Sequence, residues 1–163
     1  MPPSPATVAG LLLTGGASRR MGRDKALIEI GGQRLVDRLA AGLLAVADPV
    51  LEVGPGWSAL PAVREDPPGT GPLAAVSTGA AALRAAGHDG PVIVLAVDMP
   101  RAGVEVLRLL AAGGRSLRGL VEAMAARGEV GWVEPEEWEP LAGPGAFADV
   151  DTPADLQRLL ERP

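Results

Sequence analysis

The chain has 163 residues, a hydrophobic fraction of 47% and a formal net charge of −5. That length suits one domain around one core, and the acidic balance argues against non-specific binding to nucleic acid. With no cysteine in the chain, disulfides, thiolate chemistry and cysteine metal sites are excluded.

Residues 1–6 are rich in proline and are expected as a frayed lead. They carry no charged segment followed by an apolar one, and no apolar run nears the roughly 20 residues of a membrane span. A cytoplasmic protein that does not enter the membrane is the expectation. Val8 to Leu13 is a continuous apolar run, as expected of a parallel strand covered on both faces. It breaks into Gly15-Gly16, then Arg19, Arg20, Gly22, Arg23 and Lys25. A strand feeding a glycine-rich, cationic loop is a device for holding polyphosphate. Glycines let the backbone approach phosphate oxygens, and the cations neutralise their charge. The spacing is neither the Walker pattern nor the dinucleotide G-x-G-x-x-G pattern.

Ala26 to Ile30 is expected as a short strand or extended segment ending at Gly31-Gly32. Residues 33–46 carry apolar side chains at 35, 36, 39, 43 and 46, a helical stripe with Arg34, Asp37 and Arg38 facing water. Asp48-Pro49 ends that helix, and Val50 to Val53 follows as a short strand closed by Gly54-Pro55-Gly56. Residues 62–64 read as a further short strand. After the turn-rich loop 65–71, Pro72 suits the first turn of a helix over about 73–86, which Gly87 terminates. Pro91 to Val97 is the most apolar strand and ends on Asp98-Met99-Pro100. In open α/β sheets, ligands bind outside the carboxyl ends of strands. The two apolar strands 8–13 and 91–97 are therefore expected side by side, each delivering polar groups to that edge.

Helices are expected over 103–112 and 116–127, and strands over 129–133 and 146–150. An acidic loop lies at 134–139. Thr152-Pro153-Ala154-Asp155 opens a closing helix, with Thr152 as N-cap and Leu156, Leu159 and Leu160 inward. Strands alternating with helices predict an α/β fold with a mainly parallel sheet.

The segment Leu13-Thr14-Gly15-Gly16-Ala17-Ser18-Arg19-Arg20-Met21-Gly22-Arg23-Asp24-Lys25 resembles the signature L-A-G-G-x-S-x-R-M-G-x-D-K of the molybdenum cofactor guanylyltransferases, the MobA family. Thr14 stands where the signature has Ala. The resemblance implies a single-domain, Rossmann-like, three-layer α/β/α fold. It also implies Mg²⁺-dependent transfer of GMP from GTP to the phosphate of molybdopterin (molybdenum) cofactor, releasing pyrophosphate. Relatives using CTP usually carry Ala-Gly in place of Gly15-Gly16, so the double glycine favours guanine. Transient contact with proteins that handle the cofactor is a further implication.

On this resemblance, Arg20, Lys25 and Asp98 are the catalytic candidates. Arg20 and Lys25 neutralise the triphosphate. Asp98, in an Asp-x-Pro pattern shared with the family, is the candidate Mg²⁺ ligand. Leu13, Thr14, Gly15 and Gly16 line the nucleotide through backbone groups, and the Thr14 hydroxyl is expected to be tolerated. Asp66, before a Gly-Pro-Leu loop, corresponds to a family aspartate that contributes to guanine recognition. A carboxylate suits guanine because N1–H and N2–H₂ form a pair of donors that adenine lacks.

The chain also departs from the family. Asp149 and Asp151 replace two asparagines, which leaves their role open between metal and acceptor. Gly54 stands where relatives often have an Asn that contacts nucleotide, so that contact is lost. Near Gly113-Gly114 the chain is shorter than the family pattern, on the side that normally helps to build the acceptor cleft. Three readings therefore compete: guanylyl transfer, a CTP-using or small-molecule nucleotidyltransferase, and a nucleotide-binding homologue without transfer activity. Other chemistries lack parts. His88 is the only histidine and is expected to be exposed in its turn, Ser18 and Ser77 have no base partner, and Trp132 and Trp138 read as a lid over the core.

Overall fold

The structure, a computed structural model, describes residues 8–15, 24–100, 102, 107–108, 140 and 152–160. The elements expected at 116–127, 129–133 and 146–150, the acidic loop, Trp132 and Trp138 lie outside them. Of the helix expected at 103–112, Leu107 and Arg108 are described and are helical.

Four strands form one sheet in the order β5-β4-β1-β6, with β1 Ala9–Leu13, β4 Val50–Val53, β5 Ala62–Val63 and β6 Val92–Ala96. All three pairings are parallel. Leu13 is level with Val53 on one side and with Ala96 on the other. The carboxyl ends of β1, β4 and β6 thus reach one edge together, as the two apolar runs predicted.

The continuous apolar sequence of β1 is explained by its two covered faces. Leu12 joins a cluster with Leu35, Leu39 and Leu43 of α1 (Leu35–Leu44), while Leu11 joins one with Ala75 and Leu83 of α2 (Pro72–Ala85). Neighbouring strand residues point to opposite faces, so α1 and α2 cover opposite sides of the sheet in three layers. Leu11 and Leu12 are both fully buried, each contributing about 1.5–3 kcal/mol. Packing on the α2 side is tight because Gly79 lacks a side chain. A Cβ there would lie 2.8 Å from Leu11 and from Val53 side-chain atoms.

Two expectations change around the start of α1. Gln33 and Arg34 are not helical but form β3, an antiparallel partner of β2 (Glu29–Ile30) across the Gly31-Gly32 turn. The helix begins only at Leu35, whose N–H donates to the Ile28 carbonyl at 2.8 Å. Lys25 to Leu27 form a single 3₁₀ turn instead of an extended start. In α1 the apolar stripe holds, and Arg34 and Asp37, expected to face water, form a half-exposed ion pair at 2.6 Å.

Helix α2 starts with Pro72 at its first position, as expected. Helix α3 (Pro153–Leu160) opens on a reciprocal cap: the Asp155 N–H donates to the Thr152 hydroxyl at 3.2 Å, and the Asp155 carboxylate accepts from the Thr152 N–H at 2.7 Å. Leu156 is half-buried, but Leu160, expected inward, is exposed. It is the helix's last residue. A sequence stripe marks a helix face, not how far the surface beneath that face extends. His88, expected exposed, is half-buried, with its Nε2 3.1 Å from the Pro91 carbonyl.

Candidate nucleotide site at the carboxyl edge of the sheet

The site begins where β1 ends. The Val97 N–H donates to the Leu13 carbonyl at 3.0 Å, which ties the exit of β6 to the exit of β1. One residue on, Asp98 lies 3.7 Å from the Lys25 ammonium. Lys25 opens the 3₁₀ turn that packs against α1, and Ala26 beside it is fully buried. The fold therefore brings together a candidate cation and a candidate metal ligand from distant parts of the sequence. The Lys25 side chain is 13% exposed and that of Asp98 32%, so both remain within reach of a ligand.

Thr14 and Gly15 continue β1 past the sheet. Their N–H groups both point at the Val53 carbonyl, at 3.0 and 3.3 Å. Backbone donors for phosphate are consequently not supplied by these two residues. Gly16 and Arg20 fall in the stretch 16–23, outside the described residues.

The Thr14 side chain turns inward and is 2% exposed. Its hydroxyl donates to Glu52 Oε1 at 2.5 Å. Sequence reading passed over Glu52, an acid inside the short apolar strand β4. It is fully buried and also accepts from the N–H groups of Gly56, Trp57 and Ser58 and from the Ser58 hydroxyl, at 2.6–2.9 Å. Burial pushes the Glu52 carboxyl pKa up, but the bonds from Ser58, Thr14 and Trp57 outweigh it and hold the pKa below its usual 4.5. The charged form is thereby stabilised, and one carboxylate pins the loop after β4 to the end of β1. The available signal was the pairing of an interior acid with a glycine-rich loop containing a serine.

Gly54 lies in this junction. A Cβ on it would meet the Thr14 hydroxyl oxygen at 2.1 Å and the Gly15 nitrogen at 2.8 Å. The position is closed to any side chain, so the missing Asn is a steric consequence of local packing.

After β5 the chain returns to the same edge. Asp66 is exposed in the loop leading to α2. Glu65, also passed over, is buried, and its Oε1 accepts the Gly69 N–H at 3.0 Å. Among the described residues no group of three His, Cys, Asp or Glu side chains is arranged to hold a metal ion, and no helix is long and apolar enough to cross a membrane. Asp149 and Asp151 lie outside the described residues.

In an open parallel α/β sheet, ligands sit outside the carboxyl ends of the strands, the edge where Lys25 and Asp98 meet. Residues 10–161 match the MobA-like NTP transferase domain, and the chain belongs to that family. It is 40% identical over 118 residues to a probable molybdenum cofactor guanylyltransferase of Mycobacterium bovis, covering 67% of this chain and 57% of that protein. A second protein of that name, from Mycolicibacterium paratuberculosis, is 30% identical over 94% of this chain and 95% of its own length. That alignment runs over 201 positions, more than the 163 residues here, so the relative carries residues that this chain lacks. Among solved structures, molybdopterin-guanine dinucleotide biosynthesis protein A from Archaeoglobus fulgidus superposes with a TM-score of 0.59 at 19% identity, over 94% of this chain and 97% of that one. At that identity the likeness shows the shared fold.

Proposed function

We propose that the chain transfers GMP from GTP to the terminal phosphate of a molybdopterin-type cofactor and releases pyrophosphate. The observation that carries this reading is the convergence of Lys25 and Asp98 beside the Thr14-Gly15 exit of β1, in a chain of the MobA-like family. An oxygen of the acceptor phosphate attacks the α-phosphorus. The bond from that phosphorus to the bridging oxygen breaks, and the electron pair leaves with pyrophosphate. Such a step needs little covalent help; positioning and neutralisation of charge carry it.

Lys25 supplies one positive charge to the phosphates, and Arg20 a second. Asp66 is exposed at the same edge and accepts from the guanine base. Leu13, Thr14, Gly15 and Gly16 form the wall along the nucleoside.

Asp98 fits a magnesium site of the open kind. It is one partly exposed carboxylate at a strand end, without a cage of further acids among the described residues. Mg²⁺ typically takes one or two carboxylates, substrate phosphate oxygens and water. Bound there, Mg²⁺ would supply charge to the phosphate oxygens.

The test is pyrophosphate release with molybdopterin as acceptor and GTP, CTP or ATP as donor, with and without Mg²⁺. Turnover with GTP that requires Mg²⁺ supports the reading, and equal turnover with CTP overturns the guanine assignment. A second reading, nucleotide binding without transfer, is favoured by the residues present in the paratuberculosis relative and lacking here. GTP binding with no pyrophosphate release would establish it.

A further inference from the structure

Two buried carboxylates flank the Thr14-Gly15 exit of β1, and they differ in one respect. Glu52 spends both oxygens on protein donors. Glu65, 7% exposed, spends only Oε1, on the Gly69 N–H. Its Oε2 is buried with no hydrogen-bond partner among the described residues. A buried carboxylate oxygen without a donor is costly, and native proteins keep few such groups. The place where it lies explains its retention. An ideal Cβ on Gly15 would be 3.6 Å from Glu65 Oε1 and 3.9 Å from Oε2. Gly15 is exposed and has no Cβ. A ligand group seated against its bare face is therefore one short step from an acceptor in want of a donor.

We propose that Glu65 is a specificity-determining residue whose Oε2 accepts a hydrogen bond from the nucleoside half of the bound nucleotide. The charge of a carboxylate repels phosphate, so the matching groups are neutral donors. Guanine offers N1–H and N2–H₂, and the ribose offers its hydroxyls. Both are the same chemistry, an N–H or O–H presented to a buried anion. The assignment rests on the nucleotide-binding reading above, and it makes Glu65, next to the exposed Asp66, a second carboxylate reading the nucleoside. It also gives Gly15 a reason of its own, since any side chain there would occupy the approach to Glu65.

The experiment is calorimetric titration of the wild-type protein and Glu65→Gln with GTP, ITP, 2′-deoxy-GTP and 3′-deoxy-GTP. Gln keeps an oxygen for the Gly69 N–H and puts an NH₂ donor in place of Oε2. Wild type should prefer GTP over at least one donor-deleted analogue by about tenfold or more, the usual scale for a hydrogen bond to a charged group. Glu65→Gln should lose that preference and weaken GTP by a similar factor. Loss against ITP assigns the base as donor, and loss against a deoxy analogue assigns the ribose. If Glu65→Gln fails to fold by circular dichroism, Glu65→Asp, which withdraws the carboxylate by one methylene, is titrated with the same expectation. Unchanged GTP affinity and unchanged preference in the variant overturn this proposal alone. A wild-type protein that binds none of the four overturns the nucleotide reading with it.

Discussion

Thr14 and Gly54 are matched at contact distance: the Thr14 hydroxyl oxygen occupies the space that a Gly54 side chain would need, 2.1 Å from where its Cβ would be. Both positions depart from the family pattern, and the geometry makes the two departures one event. The hydroxyl is held in place by Glu52, so it does not rotate away freely. Gly54→Ala is expected to cost about 2–3 kcal/mol, the scale of overpacking a filled site. Thr14→Ala alone should cost about 1.5–3 kcal/mol, the scale of a hydrogen bond to a charged group. The double variant should be less destabilised than the sum by about 1 kcal/mol, because the hydroxyl clash is gone while the Gly15 nitrogen still crowds position 54. Urea denaturation of the four proteins measures this; strict additivity would refute the coupling.

Glu52 makes the stability depend on acid in a defined direction. Its folded-state pKa is held below 4.5, so the unfolded state binds the proton more readily. Its contribution is fully present above about 4.5 and is lost as pH falls through the depressed folded value. Glu52→Gln should flatten the pH dependence of stability in that window. It should also loosen the loop through Gly56, Trp57 and Ser58, seen as faster amide exchange there. A variant with the wild-type acid profile would remove Glu52 from this role.

Asp98 and Lys25 separate metal dependence from nucleotide affinity. Asp98→Ala should lower Mg²⁺-stimulated pyrophosphate release at least about 100-fold, while GTP affinity measured without Mg²⁺ stays level or improves, since a negative charge near the phosphates is gone. Lys25→Ala should weaken GTP both with and without the metal. An Asp98→Ala enzyme at full rate would refute the metal assignment.

Gly79 sets the distance between α2 and the sheet. Gly79→Ala would press a methyl into Leu11 and Val53, and a loss of about 1–3 kcal/mol is expected. Thermal unfolding checks it, and an unchanged Tm would show that the helix shifts without cost.

The reciprocal cap of α3 is a further acid-sensitive device. The Thr152 hydroxyl, the Arg158 guanidinium and the Thr152 N–H hold the Asp155 carboxyl down at about 2. Its contribution is present above the ordinary 3.8 and is lost as pH falls toward about 2. Thr152→Ala should raise the Asp155 pKa, readable by carbon-detected NMR titration.

The chain's punctuation told much of this in advance. The apolar runs through Leu12 and Leu95 marked the neighbouring strands β1 and β6, and Pro72 marked the start of α2. These signals are local, because each depends on residues within a few positions of one another. What escaped was set by backbone pairing and by burial, which side-chain patterns do not display. Gln33 and Arg34 looked helical because they precede the apolar stripe, yet they pair across a turn with Glu29 and Ile30. Glu52 was passed over, because its donors come from a loop backbone whose path no side-chain pattern encodes. Glu65 was overshadowed by Asp66. Only burial against Gly15 tells the two neighbouring acids apart.

The order of strands has a consequence for how the molecule comes into being. Gly10 must find Val50 on one side and Ile93 on the other. A chain emerging from the ribosome therefore holds its central strand ready long before its second neighbour exists. Until Val92–Ala96 is made, one edge of an entirely apolar strand stands open, and long-range pairings of this kind are slow to form. Synthesis that stalls before residue 92 should yield a species that clings to holdase chaperones, and release should follow once β6 closes the gap.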